Sequence, residues 1–578
     1  MTTGPRLCRL FAVLALLLVV SSWPALGGSW VYDDWLMLDH PLLDGPEDLL
    51  GTFAHNSTDY QRLKQEAGAA IQGRPTYRPL SMLSLGLVNV LVGSQPWVHH
   101  AVSLSLHLVT LLLLGLLATR RGSISWPAGL LLGIFAFHPA LGEAYLWING
   151  RSDVLAGAAL AATALLLQRS VEGGEEGGRR RAAAAAALGM VLLGGALAKE
   201  TFLPAAFFLL AATIFAGAPW VAGLARRARL VLPAMVMLAI AAAAMLGARA
   251  ATMDTSAAGP PGTGSALSLL TPLLGRAPRL LALGAETLAL PVPRTMRLLC
   301  WELAQPWSAA QLALVIALAL LAFLLILRGR PRPLLLLLGA AMTLLPVGLV
   351  ADSFWLGFDR YLYLSACLIL IAALPWAGGA TLDQLLRGSS RTARGLALLG
   401  AASCLLLLGV AQRATARNLA SQPAFVWSIL AQRPEEPTGY LLASRQALAE
   451  GDPELAGRLL DRQPPVGELP PALAHQLAAV QLAAGRPAAA AALVERTAAR
   501  YPDDPNVRFD LLALRGAQGR WPEAVQLAGA LLSDPRRREA VVGLVRGWLF
   551  TGLVPPGPRA ELELLLPRQA PGEAAADN

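Results

Sequence analysis

Residues 8–35 read CRLFAVLALLLVVSSWPALGGSWVYDDW, an apolar segment that ends in two adjacent carboxylates, Asp33 and Asp34. The apolar part is long enough to cross the hydrocarbon core of a bilayer. Carboxylates at a membrane edge are costly to keep unless they face a polar cavity, so the pair indicates a reaction or transport site. The alternative is that Asp33 and Asp34 cap the following helix, a common position for Asp.

The composition assigns the whole chain to the membrane class. Its 578 residues are 55% hydrophobic and 15% charged, and the mean hydropathy is +0.52. Soluble globular proteins are less apolar and carry more charge. About eleven apolar stretches have a length close to that of a membrane span: residues 8–26, 98–118, 126–145, 152–168, 182–198, 202–221, 230–249, 308–327, 333–350, 361–378 and 395–412. The sequence therefore predicts an all-α, polytopic membrane protein.

Arginines occupy alternate loops between these stretches. Short loops rich in Lys and Arg stay on the cytoplasmic side, so Arg6 and Arg9 predict a cytoplasmic N-terminus. Alternation places the remaining Arg-rich loops on the same side: residues 120–121, 179–181, 226–229, 328–332 and 387–394. These loops account for the formal charge of +9, which therefore does not indicate a nucleic-acid partner.

The first segment and the cysteines help to define the cellular setting. Small residues at positions 25, 27 and 28 would permit signal-peptide cleavage, but the length of the segment and the acidic pair directly after it favour retention as a span. The four cysteines show no paired spacing, so neither a disulfide framework nor a zinc site is predicted. Arg-heavy, Ala-rich usage and compact loops favour a bacterial inner membrane.

Hydropathy divides the chain into a membrane domain, residues 1–415, and a more polar C-terminal part. The membrane domain has predicted external loops at 27–97 and 251–306, and residues 79–93 are too short to span and are expected along the outer interface. Beyond it, Gly451, Gly485 and Gly519 recur every 34 residues, as do Ala456, Ala490 and Ala524. This period is typical of tetratricopeptide repeats, so residues 420–566 are predicted to form a short, periplasmic α-solenoid. Residues 567–578 are predicted to be a disordered tail.

Ionisable and polar groups gather at the predicted outer ends of the spans. The set comprises Arg78, His100, His107, His138, Glu143, Arg151, Asp153, Lys199, Glu200, Arg360 and Tyr361. Because all lie on one face, they are predicted to meet in a single cavity. Simpler interpretations remain: Lys199 and Glu200 as snorkelling turn residues, Arg151 and Asp153 as a structural ion pair, and His107 as a histidine satisfied within the bundle.

Carboxylates beside arginine and lysine at such a cavity suit group transfer from a lipid-linked phosphate donor to an external hydroxyl. One Asp would accept the hydroxyl proton as general base. The cations would bind the donor phosphate and stabilise the phosphate as it leaves. Adjacent residues point in different directions, so Asp33 and Asp34 are predicted to differ in role. The second carboxylate would orient the acceptor, cap a helix or hold a divalent metal ion.

The motifs, in their order along the chain, resemble the transmembrane and tetratricopeptide-repeat O-mannosyltransferases of the GT-C superfamily. They are DD at 33–34, YRPL at 77–80, the histidines at 100 and 107, HP with EA at 138–144, GRSD at 150–153, KE at 199–200 and RYLYLS at 360–365. The resemblance implies transfer, with inversion, of a sugar such as mannose from a polyprenyl or dolichyl phosphate to a protein Ser or Thr. It also implies that Asp33 and Asp34 are the catalytic carboxylates. This sequence differs at Ser103, where the family has Asn, and at Ala366, where it has Pro.

Three other functions fit parts of the pattern. An O-antigen-ligase-like oligosaccharide transferase would place its key Arg and His residues in a late external loop. A non-catalytic membrane scaffold would use the external repeats to dock partners. A transporter is less favoured, because the sequence shows neither an inverted repeat nor a pair of helices broken by Gly or Pro.

Overall fold

The computed structural model describes most of the chain: residues 5–32, 34, 43, 45–55, 76–119, 124–172, 178–215, 224–252, 266–293, 295–349, 357–377, 390–463, 469–534 and 537–566. The chain forms two compact units. The first contains the apolar helices and extends to Ile429, and the second contains the helices that follow Leu430. Asp33 and the predicted tail at 567–578 lie outside the described residues.

Helices of the first unit follow the apolar stretches of the sequence. In chain order they are α1 (Pro5–Leu26), α2 (Asp48–Gly51), α3 (Pro79–Val92), α4 (Pro96–Ala118), α5 (Trp126–Phe137), α6 (Pro139–Leu146), α7 (Arg151–Glu172), α8 (Gly178–Ala198), α9 (Phe202–Ile214), α10 (Leu224–Thr252), α11 (Ala266–Ala289), α12 (Leu299–Ala304), α13 (Ala309–Leu327), α14 (Pro331–Met342), α15 (Leu362–Ala377), α16 (Arg391–Asn418) and α17 (Gln422–Gln432). Proline opens several of them, because the first turn does not use the N–H that proline lacks. Helix α7 packs against α4 and α8, and α1 packs against α16.

The membrane class predicted from the sequence is confirmed. Within the described residues, 8 helices are long and apolar enough to cross a membrane, or 9 if the bent pair α5 and α6 is one span. The two remaining predicted spans coincide at least in part with shorter apolar helices, Ala182–Ala198 and Phe202–Ile214. The chain is thus an all-α integral membrane protein, and its orientation and compartment stay predictions.

A break between α5 and α6 turns the chain at His138. The two helices meet at 57°. Because Pro139 follows, His138 is excluded from the helical region and adopts φ −66°, ψ 117°, and its side chain caps α6 instead. The break directs α6 toward the short 3₁₀ turn Asp359–Tyr361, against which it packs. Two distant segments of polar sequence are thereby brought together.

The second unit consists of short helices that pack in consecutive pairs. They are α18 (Pro437–Ala449), α19 (Pro453–Asp461), α20 (Pro471–Ala483), α21 (Pro487–Arg500), α22 (Pro505–Ala517), α23 (Trp521–Leu532), α24 (Arg538–Phe550) and α25 (Pro556–Leu565). Helix α18 packs on α19, α20 on α21, and α22 on α23. Ala456, Ala490 and Ala524, which share the 34-residue period, are all buried.

The repeated glycines lie in the turns inside these pairs. Gly451, Gly485 and Gly519 have φ of 80°, 72° and 70°, a left-handed conformation that residues with a Cβ rarely adopt. After α18, the amide of Asp452 donates to the carbonyl of Ala447 at 2.8 Å, which is the 6→1 hydrogen bond of a Schellman motif. The 34-residue period thus falls on the turns. Assignment to the tetratricopeptide class, with its predicted bounds, stays a prediction.

Candidate active site

Asp34, which follows α1 in the chain, is fully buried. Its Oδ2 accepts the amide of Val31 at 3.1 Å, and its Oδ1 accepts the amide of Asn149 at 3.0 Å. The residue two positions earlier, Tyr32, has φ 58° and is the one non-glycine residue of the described chain with a positive φ. Such strain persists only where the surroundings enforce it, and it is concentrated at functional sites. The segment before the acidic pair is therefore firmly constrained.

Arg360 and Asp34 are linked through the backbone of a single residue, Asn149. The Asn149 carbonyl accepts from Arg360 Nη1 at 3.4 Å, while the Asn149 amide donates to Asp34. The Arg360 guanidinium, which is fully buried, stacks 4.3 Å from the ring centroid of Trp147. Glu143 Oε1 accepts the Arg360 backbone amide at 3.3 Å. A carboxylate from the first loop and a cation from the start of α15 are thus joined through one asparagine backbone.

Lys199 and Asp153 form a buried ion pair next to Tyr361. Both side chains are almost inaccessible, with exposures of 0% and 1%. The Lys199 ammonium also lies 4.1 Å from the ring centroid of Tyr361. Burial lowers the pKa of Lys199, and the negative charge of Asp153 opposes that shift. A lysine in this position is not a snorkelling turn residue, so that interpretation is wrong.

Arg78 and Glu200 form a second, bidentate pair beside the first. Arg78 Nε donates to Glu200 Oε2 at 2.9 Å, and Nη2 donates to Oε1 at 2.5 Å. Burial alone would raise the pKa of Glu200, but the Arg78 charge outweighs it, and the pKa falls to about 2. Burial lowers the pKa of Arg78, and Glu200 more than reverses this, so the net shift is upward. Both groups are therefore held in their charged forms.

Arg151 anchors the start of α7 to its neighbours. It does not pair with Asp153, as one interpretation of the sequence had it. Its Nε donates to Ser103 Oγ at 3.1 Å, Nη1 donates to the Ser84 carbonyl at 3.0 Å, and Nη2 donates to the His99 carbonyl at 2.8 Å. These bonds tie α7 to α3 and α4, which indicates a structural role.

The three predicted histidines are all buried, and side-chain hydrogen bonds engage two of them, His138 and His107. His138 Nδ1 accepts the Ala140 amide at 3.3 Å, and Nε2 is 3.1 Å from the Leu288 carbonyl. His107 Nδ1 is 2.6 Å from the Tyr363 hydroxyl, and its ring stacks 4.1 Å from that of Tyr145. His100 lies near the backbone of Ser29 and Leu146, but neither of its ring nitrogens has a hydrogen-bond partner within the described residues. His107 thus fits the bundle interpretation.

Some residues of the site have no motif that would have identified them. Arg297 Nε donates to Asp359 Oδ1 at 3.0 Å and so fixes the turn that carries Arg360. The partners are 62 residues apart, and the stretch around Arg297 has no distinguishing pattern. Asn149 begins the NGRSD stretch, and Trp147 lies two residues before it. Asn149 contributes through its backbone, which any residue has, and the stacking of Arg360 on Trp147 follows no sequence motif. His99, which is 2.9 Å from Asn89 Oδ1, adjoins the predicted His100.

A divalent metal ion at the acidic pair was one possibility raised by the sequence. Within the described residues, no group of three or more His, Cys, Asp or Glu side chains is placed to hold a metal ion. Each oxygen of Asp34 accepts a backbone amide. Asp33, the other member of the pair, lies outside the described residues, so a metal ion at the pair stays a prediction, and no step below involves one.

Comparison with known proteins gives three relatives with similar sequence identity to this chain. Mouse protein O-mannosyl-transferase TMTC1 is 32% identical over 153 residues, which are 26% of this chain and 15% of the mouse protein. Human protein O-mannosyl-transferase TMTC1 is 32% identical over 154 residues, which are 26% of this chain and 16% of the human protein. The Xenopus laevis protein O-mannosyl-transferase tmtc2 is 34% identical over 151 residues, which are 26% of this chain and 17% of that protein.

The matched region is thus a small share of each relative. No family model matches the chain, and no solved structure matches it. The similarity nevertheless agrees with the resemblance carried by the motifs. Over 26% of its length, the chain is similar to the TMTC protein O-mannosyl-transferases.

Proposed function

We propose that the protein is an inverting glycosyltransferase that moves a mannose-like sugar from a polyprenyl phosphate to a protein hydroxyl on the extracytoplasmic face. The observation that carries this proposal is the link Asp34–Asn149–Arg360, which brings a buried carboxylate within one residue of a buried guanidinium. Group transfer from a phosphate needs both charges close together: a base for the acceptor and a cation for the leaving group.

Roles for the two carboxylates follow from the bonding of Asp34. Both of its oxygens accept backbone amides, so Asp34 is suited to hold the loop in place. We assign Asp33 as the general base, which would take the proton of the acceptor hydroxyl. The acceptor oxygen would attack the anomeric carbon of the sugar, and the bond from that carbon to the phosphate oxygen would break. The sugar configuration would invert, and polyprenyl phosphate would leave.

Cations near Asp34 would bind the donor phosphate and stabilise it as it leaves. Arg360 lies on Trp147, and a guanidinium offers two parallel donors to phosphate oxygens. The next residue, Tyr361, contacts the Lys199 ammonium, so a second positive charge lies close by. The Arg78 side chain is 12% exposed to solvent and would border the same region. The second unit is proposed to bind the protein acceptor.

The proposal is tested with the full chain in proteoliposomes that contain labelled polyprenyl phosphate mannose, with a panel of Ser- and Thr-containing peptides as acceptors. Wild type is expected to label peptide. Asp33→Asn is expected to reduce the transfer rate by roughly 10²- to 10⁴-fold, the usual contribution of a general base. Arg360→Lys keeps the charge but loses the two-donor geometry, and it is expected to reduce the rate as well.

Arg330→Lys is a matched control, because Arg330 is exposed, lies in a predicted cytoplasmic loop and belongs neither to the proposed site nor to the second unit. It should transfer at the wild-type rate. Full activity of Asp33→Asn would contradict the acid–base assignment. Wild-type protein that binds partners but transfers no sugar from any polyprenyl phosphate would favour the scaffold function instead.

A further inference from the structure

Helix α17, which follows the last long apolar helix, contacts the backbone just before the acidic pair. Gln422 Oε1 accepts the amide of Tyr32 at 2.7 Å. The Tyr32 ring lies 5.9 Å from that of Phe425 and 6.0 Å from that of Trp147. These contacts hold Tyr32 in its left-handed conformation, which is unfavourable for a residue with a bulky side chain.

A second attachment lies a few residues earlier. The amide of Ser29 donates to the carbonyl of Ala420 at 2.9 Å. Gly28 permits this approach, because a Cβ there would lie 2.5 Å from the Ala420 oxygen. The chain from Gly28 to Tyr32 is therefore bound to residues 420–425 by two backbone amides and one ring contact.

The same helix is also attached on the cation side of the site. Ser428 Oγ donates to Thr295 Oγ1 at 3.0 Å. Thr295 lies two residues before Arg297, which binds Asp359 in the turn that carries Arg360. The Phe425 side chain is fully buried between these attachments, whereas Trp427 on the same helix is 53% exposed. One face of α17 thus bonds to the loop before the carboxylates and to the segment that supports the cation.

We propose that α17 is a clasp that sets the distance between the acidic pair and Arg360, with Gln422, Phe425 and Ser428 as positioning residues for the transfer reaction. This inference rests on the proposed function. A clasp that acts by positioning affects the chemical step more than donor binding, because small displacements of reacting groups are costly in rate. A helix that only contributes packing would lower stability and leave the kinetics of the folded protein unchanged.

The test combines hydrogen exchange with kinetics, on the full chain in lipid nanodiscs. Gln422→Ala removes one hydrogen bond, so the Tyr32 amide is expected to exchange roughly tenfold faster. Transfer from polyprenyl phosphate mannose is expected to lose roughly ten- to a hundredfold in kcat, with the donor KM changed little. Gln422→Glu keeps an acceptor at the same position and should retain most of the activity. Trp427→Ala is the matched control on the exposed face and should match wild type in both measurements.

The two readouts separate failure of the clasp from failure of the proposed function. Unchanged exchange at residues 28–34 in Gln422→Ala would overturn the clasp, whatever the activity. Faster exchange with an unaltered kcat would overturn its positioning role and leave the transferase proposal standing. A wild-type protein without transfer activity would overturn the proposed function, and the exchange data alone would then decide whether α17 restrains the loop.

Discussion

The buried pair of Lys199 and Asp153 allows the two possible roles of the lysine to be separated. Lys199→Met removes the ammonium and leaves the Asp153 carboxylate at 1% exposure. The Asp153 Oδ2 atom has no hydrogen-bond partner in the described part of the chain, and the Arg78 charge, which also acts on Asp153, is already paired with Glu200. Breaking a buried pair in this way typically costs about 3–5 kcal/mol of unfolding free energy. Asp153→Leu should cost a similar amount for the same reason.

The double variant Lys199→Met with Asp153→Leu leaves no uncompensated charge. Replacing a buried pair by apolar residues of similar size is often close to neutral, so its stability should return to within about 1 kcal/mol of wild type. The coupling energy of the cycle would then be several kcal/mol. Unfolding by sodium dodecyl sulfate in mixed micelles, followed by tryptophan fluorescence, measures each variant. Single variants that cost less than about 1 kcal/mol, or effects that simply add, would refute the ion-pair reasoning.

Sugar transfer by the refolded double variant then decides the chemical role of Lys199. If Lys199 supplies positive charge to the donor phosphate, the double variant should be stable and still slow. Recovery of full transfer along with stability would show that the lysine only neutralises Asp153. The comparison is informative because, if Lys199 acts on the donor phosphate, stability should recover from the single to the double variant while the transfer rate stays low.

Three further variants test local features of the structure. In wild type, Glu200 has a pKa lowered to about 2, so its contribution to stability is full above its ordinary pKa of 4.5 and is lost as the pH falls toward 2. In Arg78→Gln, burial would instead raise that pKa, so the stability deficit relative to wild type should be larger at pH 7 than at pH 4 in unfolding titrations. Gly485→Ala, at φ 72°, should cost about 1–2 kcal/mol. Gly457→Ala, inside α19 with open space around it, should gain about 0.5–1 kcal/mol, and circular dichroism during denaturant unfolding measures both.

Much of the fold could be predicted because its driving force is local. An apolar stretch of spanning length has to be a helix in a bilayer, since its backbone groups can be satisfied only within the segment. The glycine period was equally informative, because a left-handed residue after each first helix strongly favours glycine. The predicted span 182–198 lies within α8, Gly178–Ala198, whereas the helix in the predicted span 202–221 ends at Ile214, since hydropathy reports how apolar a stretch is but not where its helix ends.

The clustering of polar residues at helix ends was predictable for a related reason, whereas their meeting in a single cavity stays a prediction. Ionisable groups are excluded from the lipid-facing parts of a span, so they collect at the ends of helices and meet there. Their pairing was not predictable: a structural pair of Asp153 with Arg151, two residues away, was one interpretation of the sequence, but Asp153 pairs with Lys199. Neighbours in sequence at the start of α7 point in different directions, so spacing alone could not decide which cation Asp153 would reach.

The clasp illustrates the kind of contact that a sequence conceals most completely. Gln422 and Tyr32 are 390 residues apart, and the glutamine bonds to a backbone amide that every residue except proline possesses. No choice of residue at position 32 would therefore mark the partner. The strained φ of Tyr32 is the visible consequence, and it requires coordinates to be seen. If the acidic pair carries out the transfer reaction, its geometry depends on α17, which follows the last long apolar helix in the sequence. Substitutions in α17 should then alter the transfer rate although the helix contacts neither substrate.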